Sequence, residues 1–111
     1  MKRTRVIREQ GKVRFDLLPL EALAEVAIAL DSGNQKPGRG PFNWLDRDIF
    51  SGDMIAGCFS HVKKYQQGEI ADPESGAHPL AHAAARLLIL ISAEFHGRAI
   101  DERPGAKRRR K

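Results

Sequence analysis

Cysteine is nearly absent from this chain of 111 residues, and bulky aromatics are few: one Cys, one Trp, one Tyr and five Phe. The lone Cys58 excludes an intramolecular disulfide and a cysteine-rich zinc site, and it fits a reducing compartment. No stretch reaches the ~18 consecutive apolar residues of a membrane-spanning helix. The basic start is not followed by an apolar run or a small-residue cleavage site, so no signal peptide and no membrane partner are expected, and the expected location is the cytoplasm. Alternating strand patterns are missing except at Lys12–Phe15. No Ser/His/Asp set or nucleophile elbow is visible, which leaves covalent hydrolase chemistry without support.

Charge is abundant but unevenly placed. The chain has 19 Lys and Arg against 14 Asp and Glu, a net charge of +5. Six of the cations fall within residues 1–14 and seven within 98–111, against three acids in the two ends together. The body Phe15–Gly97 keeps six cations and 11 acids. A pI near 9.8 would ordinarily suggest a nucleic-acid-binding domain, but here the folded part is acidic and only the ends are basic. The expected organisation is a basic N-terminal arm (1–10), one helical domain (11–97) and a basic C-terminal tail (98–111). A core of that size is modest and often gains stability by oligomerising.

Three helices account for the body. The first starts near Pro19, with Asp16 as a candidate cap, carries Leu20, Leu23, Ala24, Ala27 and Leu30 at helical spacing, and ends at Gly33. A loop of Gly and Pro follows over Asn34–Pro41. The second runs from about Asp53 to Gln67, with Ser51 as cap, Ile55, Phe59 and Val62 as its apolar stripe, and Gly68 as the left-handed stop. The third runs from Pro79 to Phe95 and is apolar almost all round, which predicts burial on most sides and a partner subunit over one of them. The fold class is therefore all-α: a small bundle of three main helices completed by oligomerisation, with basic flexible ends.

The residues able to carry chemistry concentrate between His61 and His82. Hard divalent cations such as Mg²⁺ and Mn²⁺ take carboxylate oxygens, and phosphate chemistry uses such cations to neutralise charge at phosphorus. Glu69 and Asp72 share a face if the backbone between them is helical, and Glu21 and Glu25 on the first helix could supply a facing pair. The plainer readings are that Glu21 and Glu25 are solvated face residues and that Asp72-Pro73-Glu74 is ordinary helix-start chemistry. His78 and His82 stand four apart, as a metal-binding pair would, although His78 precedes Pro79 and can lie outside the helix. Trp44 and Asn43 offer a stacking surface and a base-edge partner, against the plainer role of a loop anchor. Lys36 and Arg39 are cations on a loop without P-loop spacing. Cys58 reads as a small core residue.

The order of these blocks resembles a known family. Gly11-Lys12-Val13-Arg14-Phe15-Asp16-Leu17-Leu18-Pro19, then Asn43-Trp44, a helix with His61, Asp72-Pro73-Glu74-Ser75-Gly76 and Leu80-Ala81-His82-Ala83 are similar to the dATP/dGTP diphosphohydrolase N-terminal-domain family. That family is common among bacteriophage proteins and related in function to the MazG-like all-α pyrophosphohydrolases. The resemblance covers roughly residues 11–94. It implies metal-dependent hydrolysis of a purine (deoxy)nucleoside triphosphate to monophosphate and pyrophosphate, with Mg²⁺ or Mn²⁺ as cofactor. Carried onto this chain, it implies His61, Glu69, Asp72, Glu74 and His82 at the metal, with Glu69 and Asp72 catalytic. It also implies Asn43 and Trp44 near the nucleotide, with Lys36 and Arg86 as this chain's own further candidates for binding it. The chain departs from the family at Arg86, where asparagine is common, and at His78-Pro79-Leu80, where the usual order is Pro-His-Leu.

Two other functions compete with this one. A non-catalytic nucleotide-binding or host-regulating phage protein on the same scaffold is favoured by Arg86. A nucleic-acid-associated protein is favoured by the terminal run Lys107–Lys111, which could bind phosphate backbone without sequence preference.

Overall fold

A computed structural model of the chain describes residues 13–106. The basic arm 1–10 and the run Lys107–Lys111 lie outside them. Three helices dominate: α1 (Leu20–Asn34), α2 (Ser51–Gln66) and α3 (Pro79–Phe95). A two-residue strand β1 (Ile49–Phe50) pairs in parallel with β2 (Ala99–Ile100), Ile49 opposite Ala99 and Phe50 opposite Ile100. Single 3-10 turns occupy Phe15–Leu17 and Asn43–Leu45. The architecture is the expected all-α bundle.

α3 lies at the centre, packed against both α1 and α2. Its contact with α1 is made by small side chains: Val26 and Ala29 of α1 meet Ala81 and Ala85 of α3 and Ala77 just before it, with Leu30 and Ala84 at the margin. Residues 81 and 85 are one helical turn apart, so two alanines in line let the helix axes approach closely. The large apolar residues are mostly elsewhere. Leu80, Leu87, Leu88, Ile91 and Phe95 remain exposed on α3, all within roughly 100° of its circumference at ~100° per residue. The all-round burial expected of this helix is therefore not reached within one chain. On α2, Phe59 is 68% exposed, so its expected apolar stripe faces solvent in part.

The helix ends show which local rules hold. Pro79 opens α3, and His78 before it caps the helix by accepting the Leu80 N–H on Nδ1 at 3.0 Å. Gly68, at φ +101°, closes α2 as expected, with Gly68 N–H to Tyr65 O and Glu69 N–H to Lys64 O at 3.0 Å each. This is the double bond of a Schellman cap, which needs the left-handed residue that glycine supplies. Two expected caps are corrected. Asp16 does not cap α1; both its oxygens take the Arg14 guanidinium at 2.6 Å, and α1 begins after Pro19 with no side-chain cap. Ser51 is inside α2, as its first residue.

The cap of α2 comes from 50 residues away. Glu102 accepts the Gly52 N–H on Oε1 at 2.9 Å, and Ser51 Oγ accepts the Glu102 N–H at 2.8 Å. The segment after Gly97, read from sequence as tail, thus begins as part of the fold. Arg98 donates Nε to Arg47 O at 3.2 Å, Ile49 N–H donates to Arg98 O at 2.9 Å, and Ala106 is buried. The strand pattern expected at Lys12–Phe15 is not found over its described part, where Phe15 begins a 3-10 turn.

Candidate functional site

A cleft of about 380 Å³ opens between the helices and the loop that joins α1 to β1. Its walls can be read helix by helix. α2 contributes Met54, His61 and Lys64; α3 contributes His82, Ala85, Arg86 and Ile89, at the spacing of one face of each helix. The loop contributes Lys36, Arg39, Asn43, Trp44 and Arg47, and the turn before α3 contributes Asp72 and Glu74. Eight of the nine residues nominated from the sequence line this space: Lys36, Asn43, Trp44, His61, Asp72, Glu74, His82 and Arg86.

Glu69 does not. Its expected partnership with Asp72 required a helical backbone between them, and Gly68 ends α2 one residue before Glu69. Glu69 Oε1 is buried without a hydrogen-bond partner among the described residues. Glu21 and Glu25 do not face the acidic turn as a pair either. Glu21 is exposed, and Glu25 accepts the His78 N–H on Oε1 at 2.8 Å, outside the cleft lining.

The turn holding Asp72 closes on itself. Asp72 N–H donates to Ala77 O and Gly76 N–H to Asp72 O, both at 2.8 Å. Asp72 Oδ2 accepts the Glu74 and Ser75 N–H groups at 3.0 and 2.9 Å. Burial pushes the Asp72 carboxyl up, but the Ser75 and Glu74 N–H bonds and the His82 charge outweigh it and hold it below its ordinary value. Ser75 Oγ accepts the Ala77 N–H at 3.0 Å and stands 2.7 Å from His82 Nε2. His82 Nε2 is also 3.8 Å from Asp72 Oδ2. The His82 ring stacks on His61 with centroids 4.8 Å apart. Burial lowers the His61 pKa, and the charges of His82, Lys64 and Arg86 lower it further.

The proposed metal donors are engaged only in part: His61 Nδ1 and Glu69 Oε1 are buried without a hydrogen-bond partner among the described residues. Asp72 Oδ2 holds two backbone amides, both oxygens of Glu74 take Lys36 Nζ at 3.2 Å, and Glu69 is outside the cleft. Among the described residues no three His, Cys, Asp or Glu side chains come together as a metal shell. The described side chains therefore hold no preformed three-donor shell for a divalent ion.

Cations are what the cleft concentrates. Of the six Lys and Arg in the body Phe15–Gly97, all but Lys63 line it: Lys36, Arg39, Arg47, Lys64 and Arg86. Only two of the body's 11 acids do, Asp72 and Glu74. Sequence reasoning missed Arg47 and Lys64. Lys64 was within reach of it, standing three residues after His61 on the same helix face; nothing local marks Arg47. Trp44 serves as an anchor as well as a wall, since its Nε1 donates to Ser92 Oγ of α3 at 3.0 Å while Phe42 packs edge-on at 5.7 Å. Asn43 uses Nδ2 to hold Gly40 O at 2.9 Å. Cys58 is half-buried.

The cleft thus sets an aspartate bound to two amides beside five cationic side chains on a mainly helical scaffold. The chain belongs to the dATP/dGTP diphosphohydrolase N-terminal family, whose sequence profile matches residues 2–103. A dATP/dGTP diphosphohydrolase of Salmonella phage PMBT28 is 32% identical over 83 residues, 75% of this chain and 27% of the relative. The chain thus spans about a quarter of the length of the curated relative it matches. No solved structure matches it.

Proposed function

We propose that the cleft binds a purine (deoxy)nucleoside triphosphate and that the chain hydrolyses it to monophosphate and pyrophosphate. The observation that supports this reading is the gathering of five of the acidic body's six cations around one cavity. Like charges repel, so an anion that neutralises such a concentration is drawn to it. Arg86, Lys64, Arg39 and Arg47 take the phosphates, and Asn43 and Trp44 flank the nucleoside. The side chains of Arg39, Lys64 and Arg86 have neither a hydrogen bond nor an ion pair among the described residues.

In this reading water attacks the α-phosphorus, the α–β bridging bond breaks, and pyrophosphate leaves carrying charge that the cations stabilise. Asp72 orients that water. Its Oδ2 is fixed by two amides, which leaves Oδ1 for the water, and its lowered pKa keeps it ionised. Glu69 has no part in this reading. Pyrophosphate release from dATP and dGTP, lost in Asp72→Ala while nucleotide still binds, is the expected result. The same assay with Mg²⁺, with Mn²⁺ and with a chelator reads whether a divalent ion enters with the phosphates.

A second reading, binding without turnover, is favoured by the donors of Asp72, Glu74 and His82 being engaged within the protein. Saturable nucleotide binding with no pyrophosphate under any metal condition selects it. We further propose that self-association covers the exposed stripe of α3, which lies on the side roughly opposite His82 and Arg86. Sedimentation at micromolar concentration is expected to show more than a monomer, and Ile91→Glu to return it to one.

A further inference from the structure

We propose that Gly57 is a positioning residue: a notch in α2 that seats the Arg86 guanidinium where an anion's phosphates enter the cleft. The proposal rests on the anion-binding reading and adds a residue to it that touches no ligand itself. α2 and α3 run antiparallel with their facing residues in layers. Tyr65 meets His78 with ring centroids 5.4 Å apart, and His61 meets His82 at 4.8 Å. Four residues further back on α2 and four further on along α3, Gly57 meets Arg86. A Cβ built on Gly57 would stand 2.8 Å from Arg86 Cζ and Nε and 2.9 Å from Nη1. The guanidinium therefore lies directly on the α2 backbone.

Position 57 falls between Met54 and His61 on the face of α2 that lines the cleft, at the spacing where a helix presents one side chain per turn. It is the one place on that face with no side chain. Glycine weakens a helix interior relative to alanine, and its φ there is not in the left-handed region, so the backbone conformation does not call for it. The close approach of Arg86 does. A planar guanidinium held on one side by packing keeps its other N–H donors aimed in fixed directions, the condition for bidentate phosphate recognition. The Arg86 side chain has no hydrogen bond or ion pair among the described residues, so no carboxylate is there to do the positioning.

A double-mutant cycle tests this, with inorganic tripolyphosphate as the calorimetric probe and thermal unfolding as the second readout. Arg86→Ala is expected to weaken binding on the order of 10-fold or more, the loss of a charge-assisted bond. Gly57→Ala is expected to weaken it several-fold while circular dichroism stays helical. In the Arg86→Ala background, Gly57→Ala is expected to change affinity no further and to raise Tm, because the alanine then meets no guanidinium. Additive losses in the double variant, or a Gly57→Ala protein that binds as tightly as wild type, overturn the proposal. Failure of the wild-type protein to bind tripolyphosphate overturns the anion-binding reading itself, which is a distinguishable outcome.

Discussion

Single residues set the pH behaviour of the cleft. The His61 pKa is lowered by burial and by neighbouring positive charge from its ordinary 6.5. The unfolded chain therefore takes up a proton at this site before the folded one does. Stability falls as pH drops through the unfolded value, near 6.5, and a chemical-denaturation series from pH 8 to pH 5 is expected to show that decline. His61→Gln is expected to flatten it; an unchanged slope would mean that the titrating group lies elsewhere. Asp72 acts lower on the scale. Its lowered carboxyl supplies stability above the unfolded value of about 3.8, lost as pH falls through the folded one. Trp44, as the only tryptophan and a wall of the cleft, is expected to change its emission saturably as dGTP is added. Emission that does not move with nucleotide would place the ligand away from Trp44. At this scale the sequence foretold which side chains would share one cleft better than it foretold the contacts each makes there. Asn43 and Trp44 do anchor the loop, the plainer of the two roles open to a lone tryptophan. Asp72 forms a turn with the amides of residues 74 and 75 and starts no helix, against the plainer reading of Asp72-Pro73-Glu74, and in doing so commits Oδ2.

Helices were legible where their end signals are local. α3 runs from Pro79 to Phe95 as its periodicity and opening proline indicate, and Gly68 stops α2 because the turn there needs a left-handed residue. α2 begins two residues before Asp53 because its first turn is capped by Glu102, a long-range partner that no local pattern reveals. Glu102→Ala is expected to cost about 1 kcal/mol, the usual worth of a helix cap, and urea unfolding measures it. Ending the chain at Gly97 would remove that cap together with β2, and is expected to cost more. The α1–α3 contact makes a second demand. Ala81 is 6% exposed against Val26 and Ala29, so Ala81→Leu is expected to destabilise by about 1–3 kcal/mol through overpacking. A neutral result in the same urea experiment would show that α1 can move away from α3 at little cost.

On the scale of the whole molecule, net charge was the most misleading number in the sequence. It averages basic ends with an acidic body, and within the body it conceals that the cations converge while most acids do not. That convergence joins a loop, a turn and faces of two helices, from residue 36 to residue 86, which spacing along the chain could not foretell. The account stands or falls on whether the converged cations hold a nucleotide's phosphates. The direct measurement is calorimetric titration of dGTP into the wild-type protein and Arg86→Ala, each at low and at moderate salt. Saturable wild-type binding that weakens about 10-fold or more without Arg86, and weakens as salt rises, is the predicted result. No wild-type binding, or equal affinity in the two proteins at both salt concentrations, would contradict it.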